Sequence, residues 1–174
     1  MAAQKALLVI DMLVDFMEER GTLYCGEEAR RIIPFVREKL EQARKERWPV
    51  LFICDRHLPD DREFHLFPRH CVAGEVGAEI IAELTPQPGE RVIHKRRYSG
   101  FFGTDLDLHL GELGIEELYL VGVCTNICVL YTAADARMRG YPVHVFREGV
   151  ASFDQEAHCF ALQEMEKTLG VEVE

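Results

Sequence analysis

The sequence lacks several patterns that would assign it at once to a class of protein. It has no Gly-x-Gly-x-x-Gly after its first apolar run, so nothing supports a dinucleotide-binding site. It has no Gly-x-Ser-x-Gly, so the nucleophile elbow of serine hydrolases is absent. It has six cysteines but no Cys-x-x-Cys pair, so we expect neither a zinc ribbon nor a thioredoxin-like site.

Long hydrophobic runs and dense positive charge are also missing. No segment has the roughly 18 consecutive apolar residues that a membrane span needs. The N-terminal apolar run is broken by Asp11 and lacks a small-residue cleavage site, which favours a first strand over a signal peptide. The formal net charge is −10, which argues against nucleic-acid binding. We therefore expect a cytoplasmic protein, one domain over 1–174, that contacts neither membrane nor nucleic acid.

What the sequence does contain is an alternation of strand and helix patterns. We predict strands over 6–10, 49–54, 91–94, 118–123, 142–146 and 171–173. We predict helices over 27–47, 78–84, 105–113, 126–140 and 154–169. Pro34 either kinks the first helix or marks its true start. This alternation predicts an α/β fold with a parallel sheet, large enough to need no disulfide framework.

Reactive polar residues follow four of the predicted strands. Asp11, Asp55 and Lys95 each come at a strand end, and a fourth strand runs into the turn 124–128. Because the carboxyl ends of parallel strands form the ligand crevice, we expect these side chains to converge in one pocket. An acid, a cation and a thiol in one pocket favour nucleophilic catalysis by cysteine.

Cys128 is the candidate nucleophile, since it lies in the first turn of a predicted helix. The free N–H groups and partial positive charge of a helix N-terminus lower a thiol pKa, and such N–H groups can stabilise an oxyanion. Asp11 is then the base and Lys95 the cation beside it. The alternatives are a buried structural cysteine and a structural ion pair. Asp15 is interpreted as a cap or turn residue.

The long polar loop after the second strand carries candidate metal ligands. Asp55 and His57 are two residues apart, and Glu63, His65 and His70 follow. Carboxylates and imidazoles suit Zn²⁺ or a similar divalent ion. The alternative is a loop whose histidines bind nothing.

Three segments make the sequence resemble the isochorismatase-like cysteine hydrolases and, within them, the nicotinamidases. They are Leu8–Phe16, Lys95–Phe101 and Gly122–Val129. The resemblance implies a three-layer α/β/α sandwich of Rossmann-like topology, with about six parallel strands in the order 3-2-1-4-5-6. It also implies that Cys128 is the nucleophile and that Asp11 and Lys95 are catalytic. The Val123–Cys124 peptide would be cis, and the N–H groups of Cys124 and Cys128 would form the oxyanion hole.

The loop sequence resembles the nicotinamidase metal motif. The resemblance implies one divalent ion, zinc before others, held by Asp55, His57 and His70, with Glu63 as fourth ligand and His65 as its rival. The ion would bind a pyridine nitrogen of the substrate. The residues implied to line the ring-binding slot are Phe16, Phe67 and Tyr98.

The resemblance implies hydrolysis of a non-peptide amide: nicotinamide to nicotinate and ammonia, through a cysteine thioester, in NAD salvage. It also implies a homo-oligomer, because family members are often dimers or tetramers. One alternative is a related cysteine hydrolase that acts on another small amide, a carbamoyl compound or a nicotinamide analogue. The other is a non-enzymatic metal or thiol sensor built on the same fold.

Overall fold

Six strands, all parallel, form the central sheet of the computed structural model, which describes residues 4–174. The strands are β1 (Lys5–Ile10), β2 (Val50–Asp55), β3 (Arg91–Lys95), β4 (Glu117–Val123), β5 (Val143–Ala151) and β6 (Glu172–Val173). Their order across the sheet is β3-β2-β1-β4-β5-β6, which confirms the predicted order. The order reverses between β1 and β4, and this switch point is where ligands bind in open α/β sheets.

Helices cover both faces of the sheet. They are α1 (Val14–Met17), α2 (Glu27–Arg31), α3 (Ile33–Glu46), α4 (Leu106–Glu112), α5 (Leu130–Met138) and α6 (Gln155–Lys167). Successive residues of β1 point to opposite faces, so Leu7 packs with the α3 side and Leu8 with the side of α4, α5 and α6. The predicted three-layer sandwich is confirmed. None of the helices within 4–174 is long and apolar enough to cross a membrane.

The predicted helix over 27–47 is two helices that meet at Ile32. Pro34 lies in the first turn of α3, where its missing N–H costs nothing, so it marks a true start. The predicted helix over 78–84 is wrong, because two short 3₁₀ turns, Val76–Ala78 and Ala82–Leu84, lie there instead. The backbone between them is extended, since the Ile81 N–H donates to the carbonyl of Met12 after β1.

The chain leaves β4 through a wide turn. Residues Thr125–Val129 form a π-helical turn before α5, where a single helix over 126–140 was predicted. Such wide turns are frequent at functional sites. Gly122 has φ 125°, and a side chain there would collide with the carbonyl of Ile10, so only glycine allows β4 to lie this close to β1.

Candidate active site

The four residues at the strand ends converge, as the parallel sheet requires. Asp11 follows β1, Asp55 and Lys95 end β2 and β3, and Cys128 lies in the π-helical turn after β4. All four side chains are buried. One carboxylate oxygen each of Asp11 and Asp55 and the Sγ of Cys128 lie within 4.8 Å of one another.

Lys95 is the central cation of this group. Its Nζ lies 2.8 Å from Oδ2 of Asp11 and 3.3 Å from Sγ of Cys128. It also forms an ion pair with Oδ1 of Asp55, a second carboxylate partner that the sequence did not predict. Burial alone would lower the pKa of Lys95, but the charges of Asp11 and Asp55 outweigh it and raise this pKa well above its usual value. The ammonium group therefore stays charged.

The Asp11 carboxylate is held in place by the backbone of the neighbouring strand. Its Oδ1 accepts a 2.8 Å hydrogen bond from the Asp55 N–H. Burial and the negative charge of Asp55 raise the pKa of Asp11 to about 6, although Lys95 opposes this shift. A carboxyl group that titrates this close to neutral pH can both accept and release a proton during turnover.

The Cys128 thiol is neutral at rest. Burial, followed by the negative charge of Asp11, raises the pKa of Cys128 well above its usual value, and Lys95 offsets only part of this shift. The expectation that the helix N-terminus lowers the thiol pKa is therefore wrong, because desolvation and a neighbouring carboxylate dominate. The proton has to leave during the reaction, and Asp11 is the adjacent acceptor.

The Cys128 N–H does not donate to the carbonyl at the start of its own turn. The Cys124 carbonyl accepts hydrogen bonds from the N–H groups of Ile127 and Val129, and within 4–174 none runs to it from Cys128. The Val123–Cys124 peptide is cis, as the resemblance implied. The oxyanion role of the Cys124 and Cys128 N–H groups stays a prediction.

A second buried cluster, which we call the metal cluster, consists of Asp55, His57, Glu63 and His70. One ligand atom from each lies within 4.8 Å of the others. His57 Nε2 lies 3.5 Å from Oδ2 of Asp55 and 3.9 Å from Oε1 of Glu63. His70 Nε2 lies 3.7 Å from the same oxygen of Asp55. His65, the rival of Glu63, is exposed and lies outside the cluster.

The metal cluster fits a divalent cation. His57 Nε2 and Glu63 Oε2 are buried and have no hydrogen-bond partner among the described residues. A buried polar atom without a partner costs about 1–3 kcal/mol, and a bound cation removes that cost. Two imidazoles and two carboxylates form a donor set that suits Zn²⁺ and similar ions.

Hydrogen bonds behind the two histidines fix which ring nitrogen faces the cluster. His57 Nδ1 donates to Oδ2 of Asp61 at 3.1 Å, and His70 Nδ1 donates to the carbonyl of Pro68 at 2.7 Å. Each bond leaves the lone pair of Nε2 free for a metal. Asp61 was not predicted from the sequence; its only signal is its position four residues after His57.

A narrow pocket joins the metal cluster to Cys128. Its walls include Asp55, Glu63 and His70 from the metal cluster, together with Cys124 and Cys128. The other lining residues are Phe16, Leu23, Phe67, Tyr98, Ile127 and Phe153. Phe16, Phe67 and Tyr98 were predicted. Phe153 follows β5, so the strand-end argument could have found it, whereas nothing in the sequence indicated Leu23.

Residues 5–173 match the isochorismatase domain family. The chain belongs to this family. It is an isochorismatase-like hydrolase, and its six-stranded parallel sheet is the sheet of that fold.

Three solved structures are similar along almost the whole chain. Nicotinamidase PncA from Bacillus subtilis is 39% identical, with 98% of each chain covered and a TM-score of 0.93. Pyrazinamidase of Pyrococcus horikoshii in complex with zinc is 32% identical, with 98% of each chain covered and a TM-score of 0.92. N-carbamoylsarcosine amidase from Thermoplasma acidophilum is 35% identical, covering 98% of this chain and 95% of that one, with a TM-score of 0.90.

Proposed function

We propose that this protein hydrolyses nicotinamide to nicotinate and ammonia, through a thioester on Cys128, in NAD salvage. One observation carries the proposal: the metal cluster and Cys128 open onto the same narrow, aromatic-lined pocket. A substrate with a ring nitrogen at one side and a carboxamide at the other suits such a pocket. The similarity to nicotinamidase PncA from Bacillus subtilis supports it.

The pocket would orient a flat aromatic amide. Phe16, Phe67 and Tyr98 provide aromatic walls for the ring, and the carboxamide then points towards Cys128. Asp55, His57, Glu63 and His70 would hold the metal ion, zinc by analogy with the zinc complex of the Pyrococcus horikoshii relative. When bound, the ion supplies a Lewis acid to which a pyridine nitrogen can bind.

The first half-reaction forms the thioester. Asp11 accepts the proton of the Cys128 thiol as Sγ attacks the carboxamide carbon. The N–H groups of Cys124 and Cys128 stabilise the oxyanion, and Lys95 keeps a positive charge beside the reacting thiolate. Asp11 then passes its proton to the amide nitrogen, the C–N bond breaks, and ammonia leaves.

The second half-reaction releases the acid. Asp11, ionised again, accepts a proton from water while the oxygen attacks the thioester carbon. The C–S bond breaks, Cys128 takes back the proton from Asp11, and nicotinate leaves. Asp11 thus serves as base and acid in turn, which suits a carboxyl group whose pKa is raised to about 6.

Hydrolysis of another small amide or a carbamoyl compound is the second candidate. The similarity to N-carbamoylsarcosine amidase favours it, since that relative shares the fold at 35% identity. The homo-oligomer and the cytoplasmic location predicted from the sequence stay predictions.

A matched set of substrates tests the proposal. Ammonia release would be measured for nicotinamide, benzamide and an N-carbamoyl amino acid, with zinc-loaded and with chelated protein. Benzamide has the same shape as nicotinamide but no ring nitrogen, so we expect nicotinamide to be hydrolysed at least about tenfold faster with zinc. Faster hydrolysis of the carbamoyl compound would favour the second candidate. Absence of ammonia from every substrate would favour the sensor alternative.

A further inference from the structure

Two buried thiols that the proposed mechanism does not use lie in contact beside the pocket. The Sγ atoms of Cys25 and Cys124 are 3.4 Å apart, although 99 residues separate them in sequence. Cys25 is 2% exposed and Cys124 is 6% exposed, and both are free thiols. In the part of the chain that the structure describes, no other thiol–thiol hydrogen-bond contact is present.

The two thiols are held by segments that contribute different residues to the pocket lining. Cys25 is fixed to one wall, because its N–H donates to the Phe16 carbonyl at 2.9 Å and its Sγ lies 3.6 Å from the Leu23 carbonyl. Phe16 and Leu23 both line the pocket. Cys124 lines the pocket itself and begins the turn that carries Cys128. A covalent bond between the sulfurs would therefore join the segment that contains Phe16 and Leu23 to the turn that carries Cys128.

We propose that Cys25 and Cys124 form a reversible disulfide when a peroxide enters the substrate pocket, and that this disulfide lowers hydrolysis. Of these two thiols only Cys124 belongs to a residue that lines the pocket, so it reacts first. Its sulfur attacks the peroxide oxygen, which gives a sulfenic acid and one water from hydrogen peroxide. The Cys25 sulfur then attacks the sulfenic sulfur, and a second water leaves. In sum, two thiols lose two electrons and one hydrogen peroxide becomes two waters.

The bond would move the residue that is proposed to donate to the oxyanion. An S–S bond is about 2.05 Å long, so the two sulfurs have to approach each other by more than an ångström. Movement of Cys124 displaces its N–H and the turn that follows it. A misplacement of about 1 Å in a catalytic site can cost about 100-fold in rate. The proposed disulfide between Cys25 and Cys124 is supported by geometry alone, whereas its effect on hydrolysis rests on the proposed function.

Peptide mapping tests the site without any activity assay. The Cys159→Ser variant removes the exposed thiol, which would otherwise link separate molecules. Folded protein would be exposed briefly to hydrogen peroxide, its remaining thiols alkylated, and the chain digested without reductant for mass spectrometry. We expect a peptide pair linked through Cys25 and Cys124. The linked pair should be absent when Cys25→Ala is combined with Cys159→Ser. It should be retained when Cys71→Ser, which alters another buried thiol, is combined with Cys159→Ser.

Measurement of the hydrolysis rate tests whether the disulfide lowers activity. Peroxide should lower amide hydrolysis at least about tenfold, and dithiothreitol should restore it. Cys25→Ala should have the untreated rate of its parent and lose much less activity to peroxide. Oxidation of Cys124 to a sulfinic acid without the linked pair would overturn the proposal, as would a linked pair with full activity. A linked pair in protein that hydrolyses no amide would uphold the thiol site and count against the proposed function alone.

Discussion

The backbone N–H of Asp55 donates a 2.8 Å hydrogen bond to Oδ1 of Asp11. Asp55 belongs to the metal cluster and Asp11 is the proposed base, so one bond links the two parts of the site. Lys95 adds a second link, because its Nζ contacts both carboxylates. Loss of any of these three side chains is therefore expected to affect both parts of the site.

Asp11→Asn should abolish most of the activity and leave the fold intact. Asparagine keeps an oxygen that accepts from the Asp55 N–H, but it cannot accept a proton from Cys128. Loss of general acid–base transfer typically costs about 10²–10⁴-fold in rate. We expect such a loss in kcat with a melting temperature within about 5 °C of the wild type. A purely structural ion pair would give the opposite pattern, namely a large drop in melting temperature with normal activity per folded molecule.

The acid side of the pH–rate profile should report the Asp11 carboxyl group. Burial and the Asp55 charge raise the pKa of Asp11 to about 6, above the value of about 3.9 for an unperturbed aspartate. Because the base acts in its ionised form, kcat/KM should be full above this pKa and fall tenfold per pH unit below it. Steady-state rates between about pH 4 and pH 8 check this. A profile flat down to about pH 4 would exclude Asp11 as the base.

Asp61→Asn should weaken zinc binding without removing a ligand. The Asp61 carboxylate accepts from His57 Nδ1 and from Arg97, and it holds the His57 ring with Nε2 towards the cluster. Changes to such partners typically lower metal affinity about 10–100-fold. Competition with a chromophoric chelator would measure the change. The control is Asp60→Asn, an exposed neighbour, which should bind zinc as the wild type does.

Chelation should separate substrate positioning from thiol chemistry. Metal-free protein should lose nicotinamide hydrolysis by at least about 100-fold, because the ring loses its anchor. Cys128 should still react with iodoacetamide at a comparable rate, since Asp11 and Lys95 remain in place beside its sulfur. His70→Ala should reproduce both results. Normal hydrolysis by metal-free protein would show that the metal does not anchor the ring.

The parallel sheet could be predicted from the sequence because β1, β2 and β4 are covered on both faces and are therefore continuous apolar runs. The strand-end rule then predicted the neighbourhood of Asp11, Asp55, Lys95 and Cys128. Local periodicity failed over 78–84, where pairing with the segment after β1 overrides it. The strand-end rule does not give distances between side chains, which explains why the direct ion pair between Lys95 and Asp55 was not predicted.

The pKa of the Cys128 thiol is a second property that could not be predicted from chain position. The position of Cys128 at a helix start predicted a low pKa, but burial and a carboxylate from a distant strand determine it. Leu23 reaches the pocket from a loop after α1, where no pattern marks it. Chain position thus identified the reactive residues, whereas their protonation and the complete pocket wall required the folded structure.

The most direct test of the account is the release of ammonia and nicotinate from nicotinamide by purified, zinc-loaded protein and by its Cys128→Ala variant. The parent should release the two products in equal amounts. Cys128→Ala should release neither above background, while Cys159→Ala, which changes an exposed thiol, should match the parent. Substantial nicotinate production by Cys128→Ala would contradict the thioester mechanism, and its absence from the parent would contradict the proposed substrate.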